Sequence, residues 1–266
     1  MKKFFTKSTT IAFILGLAVM HGATRGLSWI TNPCTGANVG VVTILGEIDS
    51  VEDSEYYSTA APDIVQQIEE LEANPSILAI LLDIDSGGGA TESSESIMLA
   101  LIEATKPTGA VIRNMGASGA YLAATGADRI FASRFSDVGG IGITNDFVDT
   151  SEQDRQAGVV FYNFSSGVDK GVFKPGNHIT PEQVEVIMED VMKSHDIFVR
   201  DVAANRGIPI EEVERIATGR GYLGEDALKL GLIDQIGGLS EAKIWLEDQI
   251  GEEPALCYLE EWVSGL

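Results

Sequence analysis

The sequence predicts an α/β fold with a parallel-rich sheet. Short apolar runs alternate with amphipathic stretches in β-α-β order from Val39 onward. One run, Ile77 to Ile84, is almost continuously apolar. It is too short for a typical helix and suits a strand covered by helices on both faces.

The elements follow in order. Val39 to Leu45 is a short apolar strand, and Ala61 to Ala73 is a helix with Ile64, Ile68 and Leu71 on one face. The buried strand Ile77 to Ile84 ends at Asp85-Ser86-Gly87-Gly88-Gly89. A helix from Thr91 to Ala104, a strand from Ala110 to Arg113, a small-residue helix from Ser118 to Thr125 and a strand from Asp128 to Ala132 continue the alternation. A further strand is expected at Val159 to Phe164, before the loop Ser165-Ser166-Gly167. A long helix then runs from Thr180 to Asn205. Thr180 and Gln183 form a capping-box pair at its start, and Pro181 takes the first helical position. No internal repeat or low-complexity linker marks a second domain. The chain divides into a targeting segment with linker over 1–37, one catalytic domain over 38–248 and a tail over 249–266.

The 266 residues are 44% hydrophobic and 22% charged, enough for one sizeable core. A formal charge of −22 opposes nucleic-acid partners, whose phosphates need Lys and Arg. Lys2, Lys3 and Lys7 precede an apolar run from Ile11 to Met20, then small residues at Gly22 and Ala23, the pattern of an export signal. A cleaved signal peptide and a short signal-anchor both fit. Either one places the catalytic domain outside the cytoplasm, membrane-bound or released. Cys34 and Cys257 belong to no metal-ligand cluster, so no metal or other cofactor is expected, and free thiols are favoured over a disulfide between them.

Two glycine-rich segments end strands, where ligands of open α/β sheets bind. In Met115-Gly116-Ala117-Ser118-Gly119-Ala120-Tyr121, small neighbours open access to Ser118, and a helix N-terminus favours a developing oxyanion. The same segment also suits a tightly packed helix start with Ser118 as its cap. Gly87, Gly88 and Gly89 allow positive φ and can expose N–H groups. No Gly-Lys-Ser or Gly-Lys-Thr follows them, which opposes a phosphate loop. A serine nucleophile needs a base, and the three histidines are poor candidates: His21 lies in the targeting segment, while His178 and His195 suit surface or packing roles. A Ser-Lys pair is the alternative, with a lysine kept neutral by burial. Lys170, in Ser166-Gly167-Val168-Asp169-Lys170-Gly171, is the first candidate, and Lys174 competes with it.

These three segments, in this order, resemble the active-site segments of the signal peptide peptidase or protease IV family. A fourth, Ala217-Thr218-Gly219-Arg220 through Leu232-Ile233-Asp234-Gln235-Ile236-Gly237-Gly238, is similar to its C-terminal signature. The resemblance covers about Val39 to Leu239 and implies a Clp/crotonase-like spiral of β-β-α units. It implies Ser118 as nucleophile, Lys170 as base, and the N–H groups of Gly89 and Gly119 as oxyanion hole, with Gly88 close by. It further implies a homo-oligomer at a membrane that cleaves signal peptides or other apolar peptides. Two positions depart from the family: Gly87 stands where Pro is usual, and Gly140 where a serine often hydrogen-bonds the lysine. A Clp-type protease is opposed by the export signal and the missing histidine, and a crotonase-like acyl-CoA enzyme by the scarcity of basic residues. A scaffold that has lost turnover is the non-enzymatic alternative.

Overall fold

The computed structural model describes residues 34–51, 58–167, 169–170, 172–173 and 178–259. The expected export signal and the competing base Lys174 lie outside these residues. No helix among the described residues is long and apolar enough to cross a membrane.

Strands β1 (Val39–Asp49), β2 (Ser58–Ala60), β3 (Ala79–Gly89), β4 (Thr108–Ala117), β5 (Arg129–Ala132) and β8 (Gln235–Ile236) form one sheet in the order β2-β1-β3-β4-β5-β8. The short strand β6 (Asp137–Gly139) pairs with the end of β4, and β7 (Gly221–Leu223) pairs with β6. β9 (Leu256–Tyr258) lies beside the start of β1. Every pairing is parallel except β6 with β7. The architecture is mixed α/β with a mostly parallel sheet, the class the sequence predicts.

Helices cover both faces, which is why the central strands are apolar at nearly every position. Side chains alternate along a strand, so one strand serves two cores. Val42 and Ile44 of β1 and Ile80, Leu82 and Ile84 of β3 pack under α1 (Ala61–Ala73), α2 (Thr91–Glu103) and α3 (Gly119–Ala124). Val39, Val41, Ala79 and Leu81 face α8 (Leu239–Ile250), where Trp245 tilts against Phe131 at a ring separation of 6.0 Å. Leu81 is fully buried, so truncating it to alanine would cost about 2–5 kcal/mol.

The excursion between β6 and β7 holds α4 (Ser151–Gln156), α5 (Pro181–Arg206) and α6 (Ile210–Ile216), and α7 (Gly224–Lys229) follows β7. α5 spans about 39 Å at 1.5 Å per residue. Its start bears out the expected capping box: Thr180 accepts from the Gln183 N–H at 3.3 Å while Gln183 accepts from the Thr180 N–H at 3.1 Å. Only Phe198, Val199 and Val202 of this helix are buried. Val184, Val186, Met188, Met192 and Ile197 of this helix are exposed instead.

Two expectations are corrected. Val159 to Phe164 is exposed and makes no strand, because no neighbouring strand among the described residues offers the ladder that an extended segment needs. Beyond α8, which ends at Ile250, β9 joins the sheet. Cys34 and Cys257 form a disulfide, because pairing β9 with the start of β1 brings the segments that carry them together.

Candidate active site

Ser118 stands between the end of β4 and the start of α3. Its φ of 51° makes it the one non-glycine residue with positive φ among those described. A side chain in that region is strained by about 1–3 kcal/mol and persists only where its surroundings impose it. The surroundings do so from both sides. Its N–H donates to Gly139 O at 2.7 Å, and its carbonyl accepts the Leu122 N–H at 3.0 Å as the first helical bond. The side chain makes no capping hydrogen bond, so the reading of Ser118 as an ordinary helix cap is not what the molecule adopts.

The end of β3 lies against this turn. A Cβ built on Gly88 would sit 2.6 Å from Gly119 N and 2.8 Å from Ser118 Cβ, so only glycine permits the approach. One built on Gly119 would lie 3.2 Å from Gly89 N and run into Ser94 Oγ. The Gly89 and Gly119 amides thus sit side by side next to Ser118. Gly119 opens α3, so its N–H has no partner within the helix. At Gly89 the ladder to β1 is carried by the next residue, with the Ala90 N–H donating to Ile48 O at 2.8 Å. Gly88 differs, because its N–H donates to Ser86 Oγ at 3.1 Å. It supplies close approach rather than a free donor, and Ser86, which the sequence did not single out, holds the loop.

Behind Ser118 lies a second brace. Gly139 and Gly140 both have positive φ, at 97° and 60°. The Gly140 N–H donates to Arg220 O at 3.2 Å, and the Gly219 N–H donates to Ile141 O at 2.8 Å. A Cβ on Gly140 would lie 3.2 Å from Ser118 N, so a serine there would be both strained and tight. The later signature segment is structural. Asp234 accepts from the Ile130 N–H at 2.7 Å and pairs with Arg206, while the Tyr121 hydroxyl donates to Leu232 O at 2.8 Å. Burial pushes that hydroxyl's pKa far up, keeping it a neutral donor.

Lys170 is not brought to this site within the subunit. It is exposed in a turn closed by its own N–H to Gly167 O at 3.2 Å, and no hydrogen bond links its side chain to Ser118. The burial expected to hold it neutral is missing, because Val172 alone is buried among the described residues from 142 to 178. This excursion instead exposes Val160, Phe161, Tyr162 and Phe164. Its two ends are clasped by His178 Nδ1 and Asp149 Oδ2 at 2.7 Å. His195 is half-buried, with Nε2 on Ala217 O at 2.9 Å.

Beside the turn, α2, α3 and α5 enclose a cavity of about 200 Å³, lined by Glu92, Glu95, Leu122, Ile197, Phe198 and Asp201 among others. It lies one helical turn from Ser118, since Leu122 is the residue whose N–H bonds the Ser118 carbonyl.

The chain is similar to several known proteins. Over 206 residues the chain is 30% identical to a putative signal peptide peptidase SppA of Enterococcus faecium, covering 76% of this chain and 59% of that protein. It is 30% identical over 198 residues to a putative protease of Methanocaldococcus jannaschii (74% and 61%) and 27% identical over 231 residues to Protease 4 of Salmonella typhi (86% and 36%). The chain thus spans about three-fifths or less of the length of these relatives. A ClpP1 mutant of Listeria monocytogenes superposes with a TM-score of 0.49 at 15% identity, over 76% of this chain and 92% of that one. The model of Peptidase family S49 matches residues 100–252, from the end of α2 through Ser118 to the end of α8, and the chain belongs to that family.

Proposed function

We propose that this chain is a serine endopeptidase of the signal peptide peptidase type, with Ser118 as nucleophile and Lys170 as general base. The observation that carries the reading is the strained Ser118 backbone, which presents a serine at a helix N-terminus beside the Gly89 and Gly119 amides.

In the proposed mechanism neutral Lys170 takes the proton from Ser118 Oγ as the oxygen attacks the peptide carbonyl. The N–H groups of Gly89 and Gly119 receive the oxyanion. Lys170 then gives its proton to the departing amine, and water attacks the acyl-enzyme to free Ser118. A lysine in water titrates near ~10.4 and is a poor base at neutral pH. Lys170 must therefore be desolvated by a surface beyond its own excursion. A second copy of the chain is the proposed cover, since the exposed apolar residues of α5 and the exposed aromatics at 161–164 offer apolar area for it. Apolar peptides, signal peptides among them, are the proposed substrates, and the segment 1–25 is the proposed tether to the membrane.

The test is labelling by a fluorophosphonate, read by mass spectrometry, together with cleavage of an unstructured apolar peptide. Covalent modification of Ser118 and cleavage that is lost in Ser118→Ala support the reading. An unlabelled, folded chain sinks it and leaves a non-catalytic scaffold.

A further inference from the structure

We propose that His195 is a positioning residue for Ser118, acting through the segment Ala217–Arg220; the inference rests on Ser118 being the nucleophile. The connection alternates hydrogen bonds with short stretches of backbone. A carbonyl only accepts, so the 2.9 Å contact makes His195 Nε2 the donor to Ala217 O. Two residues on, the Gly219 N–H donates to Ile141 O, and Arg220 O accepts the Gly140 N–H. Gly139, adjacent to Gly140, supplies the carbonyl that holds the Ser118 N–H at 2.7 Å. Gly221 continues the brace as the β7 partner of Gly139 in the antiparallel pair. His195 thus ties α5 to the strap that presses the Gly139–Ile141 turn against the nucleophile.

The other ring nitrogen indicates what the imidazole does there. Nδ1 is buried with no hydrogen-bond partner, and the carboxylate of Asp196 is 3.7 Å away. A ring kept for packing alone would be better served by an apolar side chain, which buries no unpaired nitrogen. The Nε2 bond to Ala217 is what the imidazole adds at this position. The strap needs such an anchor. Ser118 holds a conformation its side chain disfavours, and a carbonyl that drifts from its N–H lets the turn relax and moves Oγ away from the Gly89 and Gly119 amides.

Three variants of the full chain test this. His195→Phe fills the space without a donor, His195→Gln places an amide N–H near the position of Nε2, and His195→Asn keeps a polar amide too short to reach Ala217. The readouts are the fluorophosphonate labelling rate at Ser118, kcat and KM on a peptide, and hydrogen exchange at the Ser118, Gly140 and Gly219 amides. Phe and Asn are expected to slow labelling and kcat by about 10- to 100-fold with KM unchanged, and to speed exchange at the three amides by about tenfold. Gln is expected to restore both to within about threefold of the parent. Wild-type exchange at these amides in Phe and Asn, or a Gln variant no better than Phe, overturns the proposal and leaves His195 a packing residue. Failure of the unaltered chain to label at Ser118 refutes the peptidase reading instead, and the exchange measurement still decides the strap.

Discussion

Gly88 and Ser118 meet so closely that a methyl group on Gly88 would lie 2.8 Å from Ser118 Cβ and 2.6 Å from the Gly119 nitrogen. Gly88 also has a φ of 104°, which alone favours glycine. Contact and conformation together place the end of β3 against the Ser118 turn. Gly88→Ala is therefore expected to lose about 3 kcal/mol of stability, measured by urea unfolding, and to abolish labelling of Ser118 in the fraction that remains folded. A near-neutral effect on both would mean that the two strand ends are not packed in this way.

Ser118 itself offers a comparison between two variants. Both Ser118→Ala and Ser118→Gly remove the hydroxyl, but only glycine relieves the strain at φ 51°. Strain relief of about 1–3 kcal/mol is opposed by a glycine entropy cost of about 0.4–1 kcal/mol. Ser118→Gly should therefore be more stable than Ser118→Ala by about 1 kcal/mol. Denaturant midpoints of the two variants measure the difference, and equal midpoints would count against strain at this position.

Lys170→Ala is expected to lower the labelling rate of Ser118 by about 10²- to 10⁴-fold, the range of general-base catalysis. Far-UV circular dichroism should be unchanged, because the exposed side chain contributes nothing to the core. If assembly supplies the desolvation, diluting the protein until light scattering reports monomer should produce the same loss without a mutation. A fully active monomer would refute that role of assembly.

Asp149 is a prediction about pH. Hydrogen bonding to Ser151 first and to His178 second lowers its pKa to about 2. The folded value lies below the unfolded one of about 3.9. Its contribution is therefore fully present above about pH 4 and is lost as the pH falls through about 2. A carboxyl titration followed by carbon NMR should show this midpoint. In His178→Ala the midpoint should rise part of the way toward the ordinary value, since the Ser151 contacts remain.

The Cys34–Cys257 disulfide encloses 223 positions of sequence. Constraining so long a loop in the unfolded chain stabilises the native state by up to about 5 kcal/mol on the chain-entropy model. Cys257→Ser, or full reduction under denaturing conditions before refolding, is expected to cost about 2–5 kcal/mol. β9 should then lose amide protection before β1 does, because β9 pairs only at the edge. Unchanged unfolding in the Cys257→Ser variant would show that the bridge does not secure β9 against β1.

The sequence alone determined the elements whose cause is local. The apolar run at Ile77–Ile84, the one-sided periodicity of Ala61–Ala73 and the Thr180 cap each predicted a segment found within a few residues. Periodicity and capping act between near neighbours, so no partner need be known. The glycine-rich strand ends and Ser118 were legible for the same reason. Everything that depended on a distant partner was decided only by the tertiary structure. Val159–Phe164 has a strand's composition, but it meets no ladder and is no strand. The two cysteines pair because β9 returns to β1, and Gly88 gives its N–H to Ser86 once the loop has closed. His195 found its carbonyl 22 residues away, while Lys170, beside the right motif, remained in solvent. Hydrogen-bond pairing and burial are properties of surfaces that meet in space, and one chain's order of residues specifies them only after it has folded.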